Sequence, residues 1–233
     1  MTAKLHVLCA GAAQGLVKAV APRLLAEAGA EIDGRFGAVG ALKDALLAGE
    51  PCDLMIATDK MVAELVAAGA LSGEGVAALG RVRTGVAVRR GAPRPDVSTP
   101  EALKTALLAA DAIYFPDAVK STAGIHFANV MRQLGIHDAL QPRFRTFPNG
   151  ATAMRELADN DAPRLIGCTQ VTEINYTAGV ELVAALPARF ELATVYTAAV
   201  GAQAAEPALA ARFIAMVAGT DAQGLRADGG FND

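Results

Sequence analysis

The feature that most constrains this chain is a junction made again and again: a short apolar run passes through a turn of small residues into an amphipathic stretch. Residues 5–10 are followed by Gly11-Ala12-Ala13-Gln14 and a helical face at Leu16, Val17, Val20, Leu24 and Leu25. Residues 30–36 lead through Gly37-Ala38-Val39-Gly40 to a helix whose buried side is expected to carry Leu42, Ala45, Leu46 and Leu47. Residues 53–57 then pass through Thr58-Asp59-Lys60 into a helix over residues 61–68 that closes at Gly69. Strands separated by helices are too far apart in sequence for hairpins and must pair in parallel through crossovers. The expected fold class is therefore α/β, with mostly parallel sheets covered by helices. Pro22 lies inside the first helical pattern and predicts a kink there, or the start of a second segment.

The second half repeats the junction. Ser98-Thr99-Pro100 opens a helix through Leu108, with Ser98 or Thr99 capping and proline in the first turn. Ala112-Ile113-Tyr114-Phe115 is a buried strand, and Lys120-Ser121-Thr122-Ala123-Gly124 opens a helix running to Leu134. Residues 143–147 form the next strand, and Pro148-Asn149-Gly150-Ala151-Thr152 begins a helix containing Met154 and Leu157. Residues 165–170 form another strand, expected to end in a polar loop with Thr172, Glu173 and Asn175. Two longer extended runs, residues 81–91 and 192–200, read as crossings, and Pro207 starts a last helix through Val217. The crossings predict two lobes, residues 1–83 with 195–233 and residues 84–194.

At 233 residues with 53% hydrophobic content, the chain can bury the cores of two such lobes. Its 21 basic and 24 acidic residues form no block of one sign, and aromatics are sparse, so no nucleic-acid partner is expected. No apolar run reaches the roughly 18 residues of a membrane span, so no membrane insertion is expected. Cys9, Cys52 and Cys168 are odd in number and lack ligand spacing, as suits buried thiols in a reducing compartment. No phosphate loop, paired-cysteine motif or nucleophile elbow occurs, and no metal or cofactor is expected. No export signal precedes the first strand, which points to the cytoplasm, or to the periplasm if a leader has been removed. A transporter partner is correspondingly doubtful.

In open α/β sheets, ligands gather outside the carboxyl ends of the strands, where helix N-termini offer free N–H groups and a positive dipole end. Ser121 and Thr122 either donate to a ligand there or cap the helix. Lys120 is a point charge for a carboxylate or a solvated loop lysine. His126, one turn after Thr122, is a proton carrier or a structural histidine. Thr169, Gln170 and Glu173 follow a buried strand as a candidate binding wall, with Glu173 either a base or the cap of a turn. Asn149 and Thr152 mark a further helix start, and Tyr196 on the return crossing either reaches the ligand or is buried.

In the order of its motifs the chain resembles the type II solute-binding proteins, in their molybdate-binding-protein-like branch. The likeness is carried by the opening strand with Gly11-Ala12-Ala13, by Phe36-Gly37-Ala38-Val39-Gly40-Ala41-Leu42 and by residues 49–57. Further along, residues 84–91, 121–135 and 194–199 also fit. The resemblance implies two α/β lobes joined by two crossing strands, with a small anion held in a cleft by helix N-termini. Molybdate binders present serine hydroxyls from the first two loops, whereas Ala12, Ala13, Gln14 and Ala38, Val39, Gly40 stand there in this chain. Losing such charge-assisted bonds costs roughly 1.5–3 kcal/mol each, which disfavours molybdate and points to a di- or tricarboxylate. The Ser121-Thr122-Ala123-Gly124 helix start also resembles aconitate-isomerase-like relatives. These imply an alternative, isomerisation of an unsaturated polycarboxylate, with Glu173, His126 and Lys120 as the titratable candidates.

Overall fold

The computed structural model describes residues 3–232. The chain divides into two compact units, one of Met1–Val82 with Thr194–Asp233 and the other of Arg83–Ala193. In the first unit, β1 (Ala3–Ala10), α1 (Gln14–Ala28), β2 (Ala30–Gly37), α2 (Val39–Leu47), β3 (Leu54–Thr58) and α3 (Asp59–Ala67) follow the alternation of the sequence. Strand β4 (Ala77–Arg89) carries the chain onward. The second unit then adds α4 (Pro100–Ala109), β5 (Ala112–Pro116), α5 (Thr122–Gln133), α6 (His137–Leu140) and β6 (Phe144–Phe147). It continues through α7 (Gly150–Ala158), β7 (Leu165–Gln170), α8 (Val171–Asn175) and β8 (Val180–Ala185). Strand β9 (Ala193–Val200) leads back to α9 (Pro207–Ala218) and α10 (Gln223–Gly229).

Within the first unit the strands lie in the order β2-β1-β3-β9, parallel except for β9, which runs against β3. Within the second the order is β6-β5-β7-β4; β6, β5 and β7 are parallel, and β4 is antiparallel to β7 and to β8. The architecture is the mostly parallel α/β fold that the sequence predicts. Strand β5 shows why its sequence is unbroken by polar residues: every residue from Ala112 to Pro116 is buried. Ile113 and Phe115 pack with Phe127, Met131 and Leu103 on one face, while Ala112 and Tyr114 pack with Met154 and Leu157 on the other.

Four local expectations are corrected. Helix α1 runs through Pro22 without a second start. Lys18 and Pro22 are both exposed, so the carbonyl deprived of its donor lies on the solvent side, where water satisfies it. Leu25 and Leu47, assigned to buried faces, are 45% and 60% exposed, because Leu24, Leu42 and Ala45 already fill the inward stripes. The polar stretch after β7 is the short helix α8 rather than a loop, and its Thr172, Glu173 and Ile174 are buried. Finally, β8 and α10 lie in segments to which the sequence pattern assigned no element.

Asp53 anchors the first unit from below. Its fully buried carboxylate accepts from His6 N at 2.8 Å and from Glu206 N at 3.0 Å, tying β1 and the start of α9 to the residue that precedes β3. Asp53→Ala would take the acceptor from the part-buried His6 and Glu206 N–H groups, and we expect a loss of about 2 kcal/mol. Urea denaturation should show this as a lower midpoint at an unchanged m-value.

Candidate functional site

The carboxyl ends of the parallel strands are where each unit turns into its helices. In the first unit Ala10 of β1 lies opposite Gly37 of β2, and the pairing of Cys9 with Ile56 brings Ala57 level with both. The three helices that follow differ in how their first N–H groups are satisfied. Helix α3 is capped by Thr58, whose Oγ1 accepts from Met61 N at 3.3 Å. Helix α2 starts from Ala38, and α1 continues a 3-10 turn over Gly11–Ala13 in which Gln14 N donates to Gly11 O; neither Ala38 nor Ala10, which precedes that turn, offers a side-chain acceptor. Ala12, Ala13, Ala38 and Val39 are buried, and Gln14 and Gly40 half-buried. Tyr196 stands opposite Thr58 at the same end of the sheet, buried, with its ring edge-on to Phe231 at 6.4 Å.

In the second unit the turn from β5 into α5 is built by Asp117, whose Oδ1 accepts from Val119 N at 2.7 Å and Lys120 N at 2.8 Å. Gly124 presses the first turn of α5 onto the carbonyls of Pro116 and Asp117, where a Cβ would collide. Ser121 is the buried N-cap residue, yet its side chain makes no capping bond, and Thr122 is half-buried beside it. Lys120 is exposed.

Helix α7 is the opposite case. Asn149 Oδ1 accepts from Thr152 N at 2.8 Å, and Glu173 Oε1 accepts from Ala151 N at 3.2 Å. The Glu173 carboxylate is also bonded by the backbone of Gly150 and of Gln170, and Thr169 Oγ1 donates to its Oε2 at 2.5 Å. An internal anion thus already occupies this helix N-terminus. Gly150 is required there, since a Cβ would strike both Thr169 Oγ1 and the Glu173 carboxylate. Burial pushes the Glu173 carboxyl above its ordinary range, against the opposing pull of these hydrogen bonds.

The three titratable candidates therefore sit in different settings. Glu173 is locked to α7, Lys120 lies on the exposed turn before α5, and His126 Nε2 donates to the Phe190 carbonyl at 2.7 Å. Since a carbonyl only accepts, that bond places a proton on Nε2. Gln170, at the end of β7, is 2% exposed and neither atom of its carboxamide has a partner among the described residues. The same holds for the hydroxyls of Thr84 and Thr172, which are buried as well. Neither threonine stood out as a site residue in the sequence, where Thr84 is one residue of a long strand and Thr172 one of a polar cluster. Their only signal there is a polar residue at a strand end that the apolar pattern would otherwise continue.

The chain matches the bacterial extracellular solute-binding protein family over residues 5–232. It belongs to that family. Among curated relatives it is similar to an aconitate isomerase of Pseudomonas sp., 26% identical across 97% of this chain and 86% of that protein. Among solved structures it is similar to the periplasmic molybdate-binding protein of Azotobacter vinelandii, with a TM-score of 0.80 at 18% identity over 98% of this chain and 99% of that one. It is also similar to the sulfate-binding protein SubI of Mycobacterium tuberculosis H37Rv, with a TM-score of 0.72 at 17% identity over 98% and 86%. The fold is thus that of the type II, molybdate-binding-like branch of solute-binding proteins. Among the described residues no group of three or more His, Cys, Asp and Glu is placed to hold a metal ion, and no helix is long and apolar enough to cross a membrane.

In this solute-binding protein the burial of Glu173 has a pH signature. Because its carboxyl is raised above the ordinary value of 4.5, the folded chain holds a proton that the unfolded chain has already released. Stability from this group is therefore full at low pH and falls as pH rises from the ordinary value through the raised one. Glu173→Gln removes the titration. The difference in unfolding free energy between wild type and variant, measured by urea titration from pH 4 to pH 8, should decline with pH across that window.

Proposed function

We propose that this solute-binding protein takes a small organic anion, a di- or tricarboxylate, on N–H groups that its helix N-termini leave over. The observation that carries this reading is the capping pattern at the carboxyl ends of the parallel strands. Helices α3 and α7 are closed by side chains, whereas α2, α5 and the 3-10 turn that leads into α1 begin at Ala38, Ser121 and Ala10 without a side-chain capping bond. Uncapped first turns at the ligand end of a sheet favour a ligand that brings negative charge to them.

The alanines favour carboxylates over metal oxyanions. A compact tetrahedral oxyanion draws on many donors converging on one centre, and Ala12, Ala13 and Ala38 supply no hydroxyl. Separate carboxylates on a carbon skeleton need fewer donors each, and methyl groups pack against the skeleton between them. In a thermal-shift panel, citrate, tricarballylate, cis-aconitate and succinate should include strong stabilisers, and molybdate and sulfate should not. At a hundredfold excess over Kd the gain is about 2.7 kcal/mol. A large shift from molybdate alone would reject the reading.

Similarity to the Pseudomonas aconitate isomerase favours a second reading, isomerisation of an unsaturated polycarboxylate. Moving a double bond needs a group that removes a proton from carbon and returns one elsewhere. Of the candidates, Glu173 spends its oxygens on Thr169 and the backbone at the start of α7, His126 engages Phe190 O through Nε2, and Lys120 lies on the exposed turn before α5. Incubating the protein with cis- or trans-aconitate in heavy water separates the readings. Isomer conversion or deuterium uptake that is lost on His126→Ala or Lys120→Ala supports the enzyme, and binding without exchange supports the receptor.

A further inference from the structure

We infer that the Gln170 carboxamide and the Thr84 hydroxyl form a neutral subsite that selects an anion carrying a hydroxyl group beside its carboxylates. The inference rests on the organic-anion reading and narrows its ligand class. Thr84 and Gln170 are direct partners in the antiparallel pairing of β4 with β7. The backbone N–H of Thr84 donates to Leu192 O and its carbonyl accepts from Leu186 N, both at 3.0 Å, so the two residues do not bond each other through the backbone. They form the narrow kind of antiparallel pair, with side chains adjacent on one face.

That face is identifiable. Two residues along, Val86 pairs with Cys168, and both lie in the apolar cluster with Phe115 and Phe127. The Thr84–Gln170 pair therefore continues an apolar row to the carboxyl end of β7, where the row turns polar. Beside it, Tyr114 of β5 pairs with Gly167, which brings Gln170 level with Asp117, the residue that begins the turn into α5. Since Phe127 of α5 packs on this same face, the two orphaned side chains share the face and sheet edge at which α5 starts.

The chemistry of the orphans defines what satisfies them. A carboxamide offers an acceptor oxygen and two N–H donors, and both its N and O atoms lack partners, so exchanging the two assignments changes nothing. An ionised carboxylate or oxyanion brings acceptors alone and would set negative charge against the amide oxygen. A hydroxyl both donates and accepts, so it can satisfy the amide oxygen while taking a bond from the amide N–H or from Thr84 Oγ1. For stability alone, a leucine and a valine would serve these two buried positions better, because they bury no unpaired polar atom.

Matched pairs of ligands test this: citrate against tricarballylate, and malate against succinate, by isothermal titration calorimetry. In the wild type the hydroxylated member of the better-binding pair should bind at least tenfold more tightly. Gln170→Leu and Thr84→Val should each bring that ratio towards one, and ligand-free Gln170→Leu should melt no lower than wild type. Equal affinities within pairs in the wild type would overturn the inference and leave the organic-anion reading standing. Binding by none of the four would overturn both. A ratio that survives in both variants would place hydroxyl recognition elsewhere. A marked drop in the melting temperature of ligand-free Gln170→Leu would show that the carboxamide supports the fold, which also overturns the inference.

Discussion

A helix cannot satisfy its own first N–H groups, and this protein places one helix after another directly beyond a strand end. What each helix does with those groups orders the rest of the structure. Thr58, Thr99 and Asn149 close α3, α4 and α7 with side-chain oxygens. Helix α9 solves the problem differently: Pro207 has no N–H to satisfy, and Asp53 accepts the N–H of Glu206. Helices α2 and α5 have no side-chain cap, nor has the 3-10 turn over Gly11–Ala13 that leads into α1, and each follows the carboxyl end of a parallel strand. Away from those strand ends the provision is uneven: α4 and α9 have it, whereas α6 and α10 begin at Ile136 and Ala222 with no side-chain cap.

Glu173 shows what this fold does with an anion it already owns. Its carboxylate is seated on the Gly150 and Ala151 N–H groups and a threonine hydroxyl, in a space that only glycine at position 150 leaves open. Three backbone donors, from Gly150, Ala151 and Gln170, with one hydroxyl and a helix dipole hold this buried carboxylate, although burial still lifts its proton affinity. This also explains why Glu173 is a poor mobile base. Proton transfer to it must compete with the same bonds that keep α7 in place.

The alternation of strands and helices was legible because it rests on local pattern: buried parallel strands read as unbroken apolar runs, and small residues mark the turns. Thr99 and Asn149 announced their caps for the same reason, since capping needs only residues within one turn. What the pattern could not show depends on partners distant in sequence. Leu47 has the right spacing for a buried face, but Leu42 and Ala45 already occupy it. Nothing near Glu173 in the sequence indicates that its carboxylate is committed to residues 150 and 151. Thr84 is a polar residue in a strand until β7 is laid beside it and Gln170 is found opposite, equally buried and equally unpaired.

The last step concerns where discrimination resides. Donors at helix N-termini are backbone groups, so their chemistry is the same in every relative, and they favour negative charge without distinguishing one small anion from another. Selectivity must come from the side chains set among them. In the second unit those side chains include the neutral polar groups of Thr84 and Gln170, both buried and without a partner among the described residues. On the proposed organic-anion reading, negative charge would bring a ligand to the helix N-termini, and neutral groups of this kind would decide which ligand stays.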